Sequence, residues 1–444
     1  MSQRQMLIGG VLLDDVLPAP SVFAEPTLSF VNRGDTASMS QVETAYTNIA
    51  GLSGTYFTSW FAAVTSAAQN NDQLLECKFR ANGVGTVIWP AQARLSTGQN
   101  WMTTTGLNLG GINSTSTIET RVVQEDVSPV GSIKAAGHLA IDLNDMGVAD
   151  QDYFNIFGFT GGVAGNNDVD ATTTGNTFDV KSTEDYLVFW NAIHLPDSIT
   201  YRNLRFHPRI DGEDIVHVRT NDTSPGASRT GRGFSIGMGD PGLSGAVGNN
   251  VFTGLSVMPL QKGVRTPSFQ ASIAEDEAGV QKDMSYQMFA IRKSMFEQAS
   301  IAKVTTLQQN TSETHLDTDF QVAINSTDKV WIIVSSTYMS SHPNMEVSLH
   351  RENAGGGGDI DLIGPIELRG MEGATTGQLL NTDQSCFPLW LAYVDDNPGD
   401  VVYTLRLGRN VAGSDLNTIN MRDDGKGGFD GYMLALELNL GTDT

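Results

Sequence analysis

The amino-acid sequence predicts an all-β protein made of three tandem antiparallel β-sandwich modules of jelly-roll type, preceded by an extended N-terminal arm. Three observations predict this fold. The chain combines 40% apolar residues with 47 glycines and many Ser, Thr and Asn, which is typical of turn-rich β proteins. Long helical tracts of Ala, Leu, Glu and Lys are missing from the sequence. Finally, one strand pattern occurs three times along the chain.

This repeat occupies residues 53–83, 182–212 and 326–356, each a span of 31 residues from a serine to a glycine. Each span begins with a dense apolar run, such as residues 186–190 or 330–334, which is typical of a strand covered on both faces. Alternating residues follow and predict a half-buried strand. The final glycine suits a tight reversal that needs positive φ. We therefore expect one hairpin unit, present three times.

A second pattern follows each repeat, as an apolar strand, an acidic turn with glycine, and a strand with an aromatic residue. Its copies begin at His138, Gln270 and Trp390, and each predicts a hairpin with its acidic tip in water. The middle copy also has apolar residues near a helical period. The parallel with the other two copies favours a strand there.

The closing glycines lie 129 and 144 residues apart, which is a domain period rather than a solenoid period. Residues 159–177 are rich in Gly, Asn and Thr, and residues 305–318 are mostly polar, so both segments are predicted to be linkers. The predicted modules are therefore residues 37–165, 176–308 and 317–444.

The segment before the first module, residues 1–36, is interrupted by prolines and predicts an arm with an entry loop. One helix is predicted at residues 38–49, because Met39, Val42 and Tyr46 would share one face.

The balance of charges excludes two classes of partner. Lys and Arg total 27 against 50 Asp and Glu, a formal net charge of −23, and no basic stripe could neutralise successive phosphates. Nucleic acid and anionic membranes are therefore not expected partners. The apolar run at residues 6–13 is cut by Asp14 and Asp15, and no stretch reaches the ~18 apolar residues of a membrane span.

The two cysteines, Cys77 and Cys386, are far apart in a chain too long for a disulfide-stapled scaffold. We expect both to be free thiols in a protein made in a reducing cytoplasm.

Two serine motifs resemble catalytic ones but do not meet the requirements for catalysis. GFSIG around Ser235 matches the nucleophile-elbow pattern, but a second glycine-rich segment follows it where a helix is needed, so a β-hairpin turn is expected. GDPGLSG around Ser244 lacks the glycine that serine proteases have after their nucleophile. The sequence therefore predicts no catalytic residues.

Metal and cofactor sites are not predicted either. His194, His207 and His217 share the middle module without a zinc-ligand spacing. Residues 166–170 and 423–430 place oxygens at alternate positions, as calcium sites do, but neither completes an EF-hand loop, and solvated acidic turns are commoner.

The tryptophans are predicted to be buried. They lie in apolar runs, so they are expected to anchor the sandwich cores rather than to stack on glycans. These residues are Trp60, Trp190, Trp331 and Trp390. The RGD triplet at residues 33–35 is explained equally well by a turn.

The C-terminal segments VVYTLRLGRN (residues 401–410) and GYMLALELNL (431–440) resemble the last two strands of β-sandwich modules in tailed-bacteriophage virion proteins. The resemblance covers about a third of the chain. It implies a non-enzymatic structural subunit without a cofactor, assembled in the host cytoplasm and bound to other virion proteins and to copies of itself. No heptad shaft is present, which favours a capsid decoration protein, a head fibre or spike, or a tail component over a long fibre.

A second function class stays open. A carbohydrate-binding or glycan-degrading protein that recognises a host surface glycan is also built from β-sandwiches. Such an enzyme needs two carboxylates about 5 to 9 Å apart across a cleft, and the sequence does not show whether the acidic turns converge.

Overall fold

The computed structural model describes residues 7–8, 11–12, 27–31, 37–38, 44–65, 73–81, 87–95, 101–124, 132–142, 153–160, 169–170, 177–180, 182–196, 203–215, 234–237, 251–273, 282–310, 314–340, 345–368, 387–409, 417–419 and 430–438. In these ranges the chain is almost entirely β, with one 3-10 turn at Lys293–Met295. No helix among the described residues is long and apolar enough to cross a membrane.

The strands are numbered in the order in which they follow one another along the chain. They are β1 Leu7–Ile8, β2 Val11–Leu12, β3 Thr27–Val31, β4 Ala37–Ser38, β5 Thr44–Thr65, β6 Gln73–Ala81, β7 Val87–Leu95, β8 Trp101–Gln124, β9 Ser132–Asp142, β10 Tyr153–Thr160, β11 Val169–Asp170, β12 Phe178–Val180, β13 Glu184–Pro196, β14 Asn203–Ile210, β15 Glu213–Asp214, β16 Phe234–Gly237, β17 Val251–Leu260, β18 Gly263–Arg265, β19 Pro267–Ile273, β20 Lys282–Arg292, β21 Ala299–Val304, β22 Gln308–Asn310, β23 Leu316–Ser326, β24 Val330–Ser340, β25 Met345–Asn353, β26 Ile360–Leu368, β27 Phe387–Asp395, β28 Gly399–Arg409, β29 Asn417–Ile419 and β30 Gly431–Glu437.

The third module shows the jelly-roll strand order most simply. Its eight long strands are β21, β23, β24, β25, β26, β27, β28 and β30. If they are numbered one to eight, one antiparallel sheet has the order 1-8-3-6 and the other has 2-7-4-5. Two interlocked sheets of this kind define a jelly roll. We call the 1-8-3-6 sheet of each module its central sheet and the 2-7-4-5 sheet its outer sheet.

The second module repeats this order. Its central sheet is β10-β20-β13-β17, and its outer sheet runs β11-β19-β14 with β16 on the far side of β14. The short strands β12, β15 and β18 are additions to this plan. The second module is therefore a second jelly roll.

The first module follows the same plan with two pairs of strands fused. The second half of β5 pairs with β9 and with the start of β8, while its first half pairs with the end of β8, which also pairs with β6. The ladder between β5 and β8 slips between Ile49 and Gly54, which marks the corner where the chain passes from one sheet to the other. Strands two and three, and strands six and seven, are therefore continuous here.

The predicted fold class is confirmed: the modules are antiparallel β-sandwiches of jelly-roll type. The three repeats are also equivalent, because each supplies strands three and four of its jelly roll. Gly212 and Gly356 have φ values of 82° and 84°, as expected for closing glycines. Both glycines lie in the turn that follows strand four of their module, β14 or β25.

Three expectations about local structure are wrong. The repeats are not hairpins, since strands three and four do not pair with each other in any of the modules. The second pattern is not one hairpin either, because its two strands lie in different sheets in every copy, although its middle copy is a strand, β20. The predicted helix at residues 38–49 is wrong where the chain is described, because Ser38 ends β4 and residues 44–49 begin β5, while residues 39–43 lie outside the described ranges.

Pairing also assigns some strands differently from the predicted boundaries. β10 pairs with β20 and β21 pairs with β30, so each joins the module that follows its predicted one. Within the predicted arm, β3 pairs with β9 as the first strand of the first module, and β1 pairs with β2. The predicted arm, residues 1–36, therefore includes the first strand of the first module.

Close packing inside the second module provides a test of this architecture. Trp190 of β13 lies directly opposite Gly254 of β17, and a Cβ atom at Gly254 would overlap the indole ring. We expect Gly254→Ala to destabilise the protein by about 1–3 kcal/mol, because the buried ring must move. The measurement is the midpoint of chemical unfolding.

Gly364→Ala is the matched control, since Gly364 also lies in a strand, β26, and a Cβ there would meet nothing within 4 Å. Equal midpoints for both variants would contradict the packing described for Trp190.

Candidate functional site: the junction of the three modules

Strands at the middle of the central sheets are buried on both faces. In β13, Tyr186, Val188 and Trp190 pack into the core cluster that includes Ile210 of the outer sheet. The alternate residues, Leu187 and Phe189, belong to a different cluster. The prediction that the apolar run is a strand covered on both faces is therefore confirmed.

The second cluster contains residues from all three modules, and its centre is aromatic. We call its six Phe and Trp side chains the aromatic junction: Phe57 of the first module, Phe189, Phe289 and Phe296 of the second, and Trp331 and Trp390 of the third. Each is at most 6% exposed. The far faces of the three central sheets thus share one core.

The rings of the junction touch across module boundaries. Phe57 lies 4.7 Å from Trp331, 5.3 Å from Phe189 and 5.6 Å from Phe289, measured between ring centroids. Phe189 stacks on Phe289 at 4.9 Å and is nearly parallel to Trp331 at 5.9 Å. Contacts of this kind contribute roughly 0.5–1.5 kcal/mol each beyond the area they bury.

The three modules meet in a cyclic order. Strand six of the first module, in β8, contacts β13 and β17 of the second; β17 contacts β24 and β27 of the third; and β27 contacts β5 and β8 of the first. At each of the three boundaries, strand six of one module therefore contacts strands three and six of the next. The chain closes into a ring with approximate three-fold symmetry around the junction.

Buried hydrogen bonds fix two of these boundaries. The Asn191 amide donates to the Leu107 carbonyl of the first module at 2.9 Å and accepts from the Thr253 hydroxyl at 2.8 Å. The Leu255 backbone N–H donates to the Ser335 hydroxyl of the third module at 3.0 Å. Such directional bonds specify the register between modules, which apolar contact alone does not.

Asn191 and Ser335 are not among the residues predicted from the sequence. A signal was available, because each is the first polar residue after an apolar run, following Trp190 and Val334. A polar residue directly after a run buried on both faces must be satisfied by a neighbour.

A buried ionic network supports the third module. Arg351 donates to both carboxylate oxygens of Asp395 at 2.8 and 2.7 Å, and the Tyr403 hydroxyl donates to the same carboxylate at 2.9 Å. Burial, and then the negative charge of Asp395, raise the pKa of Tyr403 well above its usual range. The ring therefore stays neutral in the folded protein.

Among the described residues, two groups of side chains have the spacing to hold a cation. One is His350, Glu352 and Asp359, and the other is Glu297, Asp328 and Glu437. In the second group, burial, and then the charges of Glu437 and Asp328, raise the pKa of Glu297.

The two serine motifs are described only in part. Ser235 lies in strand β16 opposite Arg205 rather than in the turn we expected. Ser244 lies outside the described residues.

The histidines of the middle module are not brought together as far as the structure describes them. His194 is in β13 of the central sheet and His207 in β14 of the outer sheet, while His217 lies outside the described residues. Cys77 is in β6, and Cys386 is outside the described residues, so the state of the thiols stays a prediction.

The acidic loops and the RGD triplet are described only in part. Val169 and Asp170 form β11, and Asp430 is buried and paired with Lys303 at 2.7 Å. The rest of residues 166–170 and 423–430, and all of 33–35, lie outside the described ranges.

The tryptophan prediction is confirmed for three of the four residues. Trp190, Trp331 and Trp390 are at most 2% exposed. Trp60 is part of strand β5, and its side chain is not among those described. Buried rings cannot stack on a glycan, so these three are structural anchors.

No protein-family model matches the sequence, and no curated protein matches it either. Two solved structures are similar over much of the chain. A chain from an archaeal virus, described as a triple jelly roll fold with turret assembly, shares 8% identity over 94% of this chain and 91% of its own length, with a TM-score of 0.20. A chain of infectious bursal disease virus Gx strain shares 11% identity over 64% of this chain and 76% of its own, with a TM-score of 0.18. Such low scores do not establish a shared fold, so the architecture rests on the strand pairing above.

The junction predicts that the three modules unfold together. Phe189→Ala should destabilise the protein by about 3–5 kcal/mol, because it leaves a cavity against rings of the other two modules. Calorimetry should show one transition in the unmodified protein and one transition at lower temperature in the variant.

Val264→Ala is the control, since Val264 is 65% exposed and its loss should change stability by less than about 0.5 kcal/mol. Separate transitions, with only one of them shifted by Phe189→Ala, would show that the junction does not couple the modules.

The Tyr403 network predicts a loss of stability at alkaline pH. Because the folded pKa of Tyr403 is raised, the unfolded chain releases this proton first, and stability falls as the pH rises above the ordinary tyrosine range of about 10. One proton corresponds to about 1.4 kcal/mol per pH unit.

Tyr403→Phe should therefore be less stable than the unmodified protein at pH 8, through the lost hydrogen bond, and should lose less stability between pH 9.5 and 11. The measurement is the free energy of urea unfolding at each pH. Parallel pH profiles for the two proteins would rule out this role of Tyr403.

Proposed function

We propose that this chain is a non-enzymatic structural subunit of a virus particle, acting through contacts with copies of itself and with neighbouring virion proteins. In the finer form of this proposal, the particle is a tailed bacteriophage and the subunit is a capsid decoration protein, a short head spike or a tail component.

The observation that carries the proposal is the closed ring of three jelly rolls around one aromatic junction. Jelly rolls are the sandwiches of viral capsid domains, as well as of lectins and cupins. Here both faces of a central sheet are used for packing, since Leu187 and Phe189 belong to the cluster at the junction while Tyr186 and Val188 belong to the other core cluster. A block of this kind has fixed geometry, which suits repeated assembly.

Electrostatics support a position away from packaged nucleic acid. The formal net charge of −23 would be repelled by phosphate. We infer that the subunit lies on the outside of the particle, facing solvent, after synthesis in the host cytoplasm.

The N-terminal segment is the proposed anchor to a neighbour. β3 belongs to the first jelly roll, so the proposed anchor is the part of the predicted arm that precedes it, residues 1–26. Segments rich in proline order on contact and bury much surface for their length.

Glycan recognition is the alternative function, because lectins also use jelly rolls. It differs in its partner, a host surface glycan. Binding of the purified protein to a glycan array, or release of sugar from host polysaccharide, would support this alternative.

Particle incorporation tests the proposal. Mass spectrometry of purified particles of the virus that encodes the chain should detect peptides from all three modules in stoichiometric amounts. A chain lacking residues 1–26 should fold, as judged by circular dichroism, and should not be incorporated.

Val264→Ala serves as the full-length control and should be incorporated normally. Absence of the protein from particles would overturn the structural role. Normal incorporation of the shortened chain would show that the anchor lies elsewhere and would leave the broader proposal standing.

A further inference from the structure

We propose that His350, Glu352 and Asp359 form a binding site for a divalent transition metal such as Zn²⁺, at the turn between β25 and β26 of the third module. The sequence did not point to this site, because it combines one histidine with two carboxylates rather than a pair of His or Cys residues at a zinc-ligand spacing. The ligands here are instead placed by strand geometry.

The register of the two strands brings four polar side chains onto one face. His350 lies opposite Asp361, and Arg351 lies opposite Ile360. Because side chains alternate along a strand, Glu352 shares the face of His350, and Asp359 continues the face of Asp361. One imidazole and three carboxyl groups therefore meet where the hairpin turns.

Hydrogen bonding determines which histidine nitrogen can bind a metal. Nδ1 of His350 lies 3.0 Å from Oδ1 of Asp361, and a carboxylate can only accept, so Nδ1 carries the proton. In the neutral ring, Nε2 then presents a lone pair. A carboxylate that holds the other nitrogen in this way is the usual second partner of a metal-bound histidine.

The Nε2 atom is buried without a hydrogen-bond partner. The His350 side chain is 4% exposed, and Nε2 faces Oδ1 of Asp359 at 3.8 Å. A lone pair and a carboxylate oxygen that face each other repel unless a cation or a proton lies between them. The orphaned atom thus points to a ligand in the space it shares with Asp359.

The charge of the group points the same way. Glu352 and Asp359 are like charges at neighbouring cross-strand positions, an arrangement that destabilises a hairpin. The basic residue between His350 and Glu352, Arg351, is committed to both oxygens of Asp395. A divalent cation would relieve this repulsion.

The distances allow coordination after a small adjustment. One ligand atom from each of the three residues lies within 4.8 Å of the other two. Ligands at zinc bond lengths are about 3.3 Å apart in a tetrahedral site. Asp359 is 64% exposed and can rotate inward, whereas His350 is held by Asp361.

The turn itself holds the second side of the site in place. The Asn353 N–H donates to the Gly357 carbonyl at 3.0 Å, and the Gly356 N–H donates to the Asn353 carbonyl at 2.8 Å. Gly356, Gly357 and Gly358 all have positive φ, which residues with a side chain rarely adopt. The glycine run therefore returns the chain so that Asp359 faces His350.

The donor set selects the class of metal. One imidazole nitrogen and two carboxylate oxygens suit Zn²⁺ and similar first-row ions, whereas Ca²⁺ prefers oxygen ligands alone. The exposed side of the site leaves a fourth position for water. Such an ion would tie the turn between β25 and β26 to the buried His350.

Calorimetric titration of the EDTA-treated full-length protein with ZnCl₂ tests the proposal. We expect one zinc per chain at this site, lost in His350→Ala, and weakened about 10–100-fold in Asp361→Asn, which removes the partner of Nδ1. Asp359→Asn, at an exposed position, should weaken binding at least 10-fold without affecting the fold. Zinc should raise the thermal midpoint of the unmodified protein and not that of Asp359→Asn.

His315→Ala is the control. His315 is already bonded to Glu346 at 3.1 Å, so this substitution should leave zinc binding unchanged. Zinc binding that is insensitive to His350→Ala and Asp359→Asn would overturn the proposal. The absence of zinc binding would overturn it as well, and a doubly protonated His350 ring in nitrogen NMR spectra would then show that a proton bridges Nε2 and Asp359.

Discussion

Contact between Phe57, Phe189 and Trp331 is the interaction on which the rest of the architecture depends. Each ring lies on strand three of a different jelly roll, and all three are fully buried. An isolated jelly roll needs only one apolar face on its central sheet. Here the second face is apolar as well, so each module alone would expose a large hydrophobic surface. The ring closes because this surface is buried only when all three modules are present.

Two-sided burial also explains which features the sequence revealed. The apolar runs around Phe189 and Trp331 lack the alternation of an ordinary sandwich strand, and that departure correctly predicted strands covered on both faces. The repeat was recognisable because the same constraint acts on strand three of every module. Composition and glycine positions were sufficient to predict the β-sandwich class.

Strand partners could not be predicted in the same way. The two-residue period of a strand shows which face a residue occupies but not which strand lies beside it. Strands three and four, which are consecutive in sequence, were therefore taken for a hairpin although the chain crosses from one sheet to the other between them. Apolar residues at Val42 and Tyr46 also fit a helical period by chance, and long-range pairing of β5 with β8 overrode it. The cross-module bonds of Asn191 depend on residues distant in sequence, and the site at His350 depends on the register of the β25–β26 hairpin. A single sequence gives neither the partner strand nor the register.

The outer sheets do not face the junction, so the requirement for apolar residues that makes the central sheets alike does not apply to them. Every module must present apolar residues to the junction, whereas the far face of an outer sheet serves no common contact. In β25 this face carries Glu346, Ser348 and His350, which are all buried, two of them bonded to His315 and Asp361. Fusing three jelly rolls into one chain allows such differences, because each module is encoded separately, while a ring of three identical chains would have to repeat any outer-sheet site three times. The approximate symmetry therefore describes the junction, and the outer sheets are where the modules can acquire separate roles.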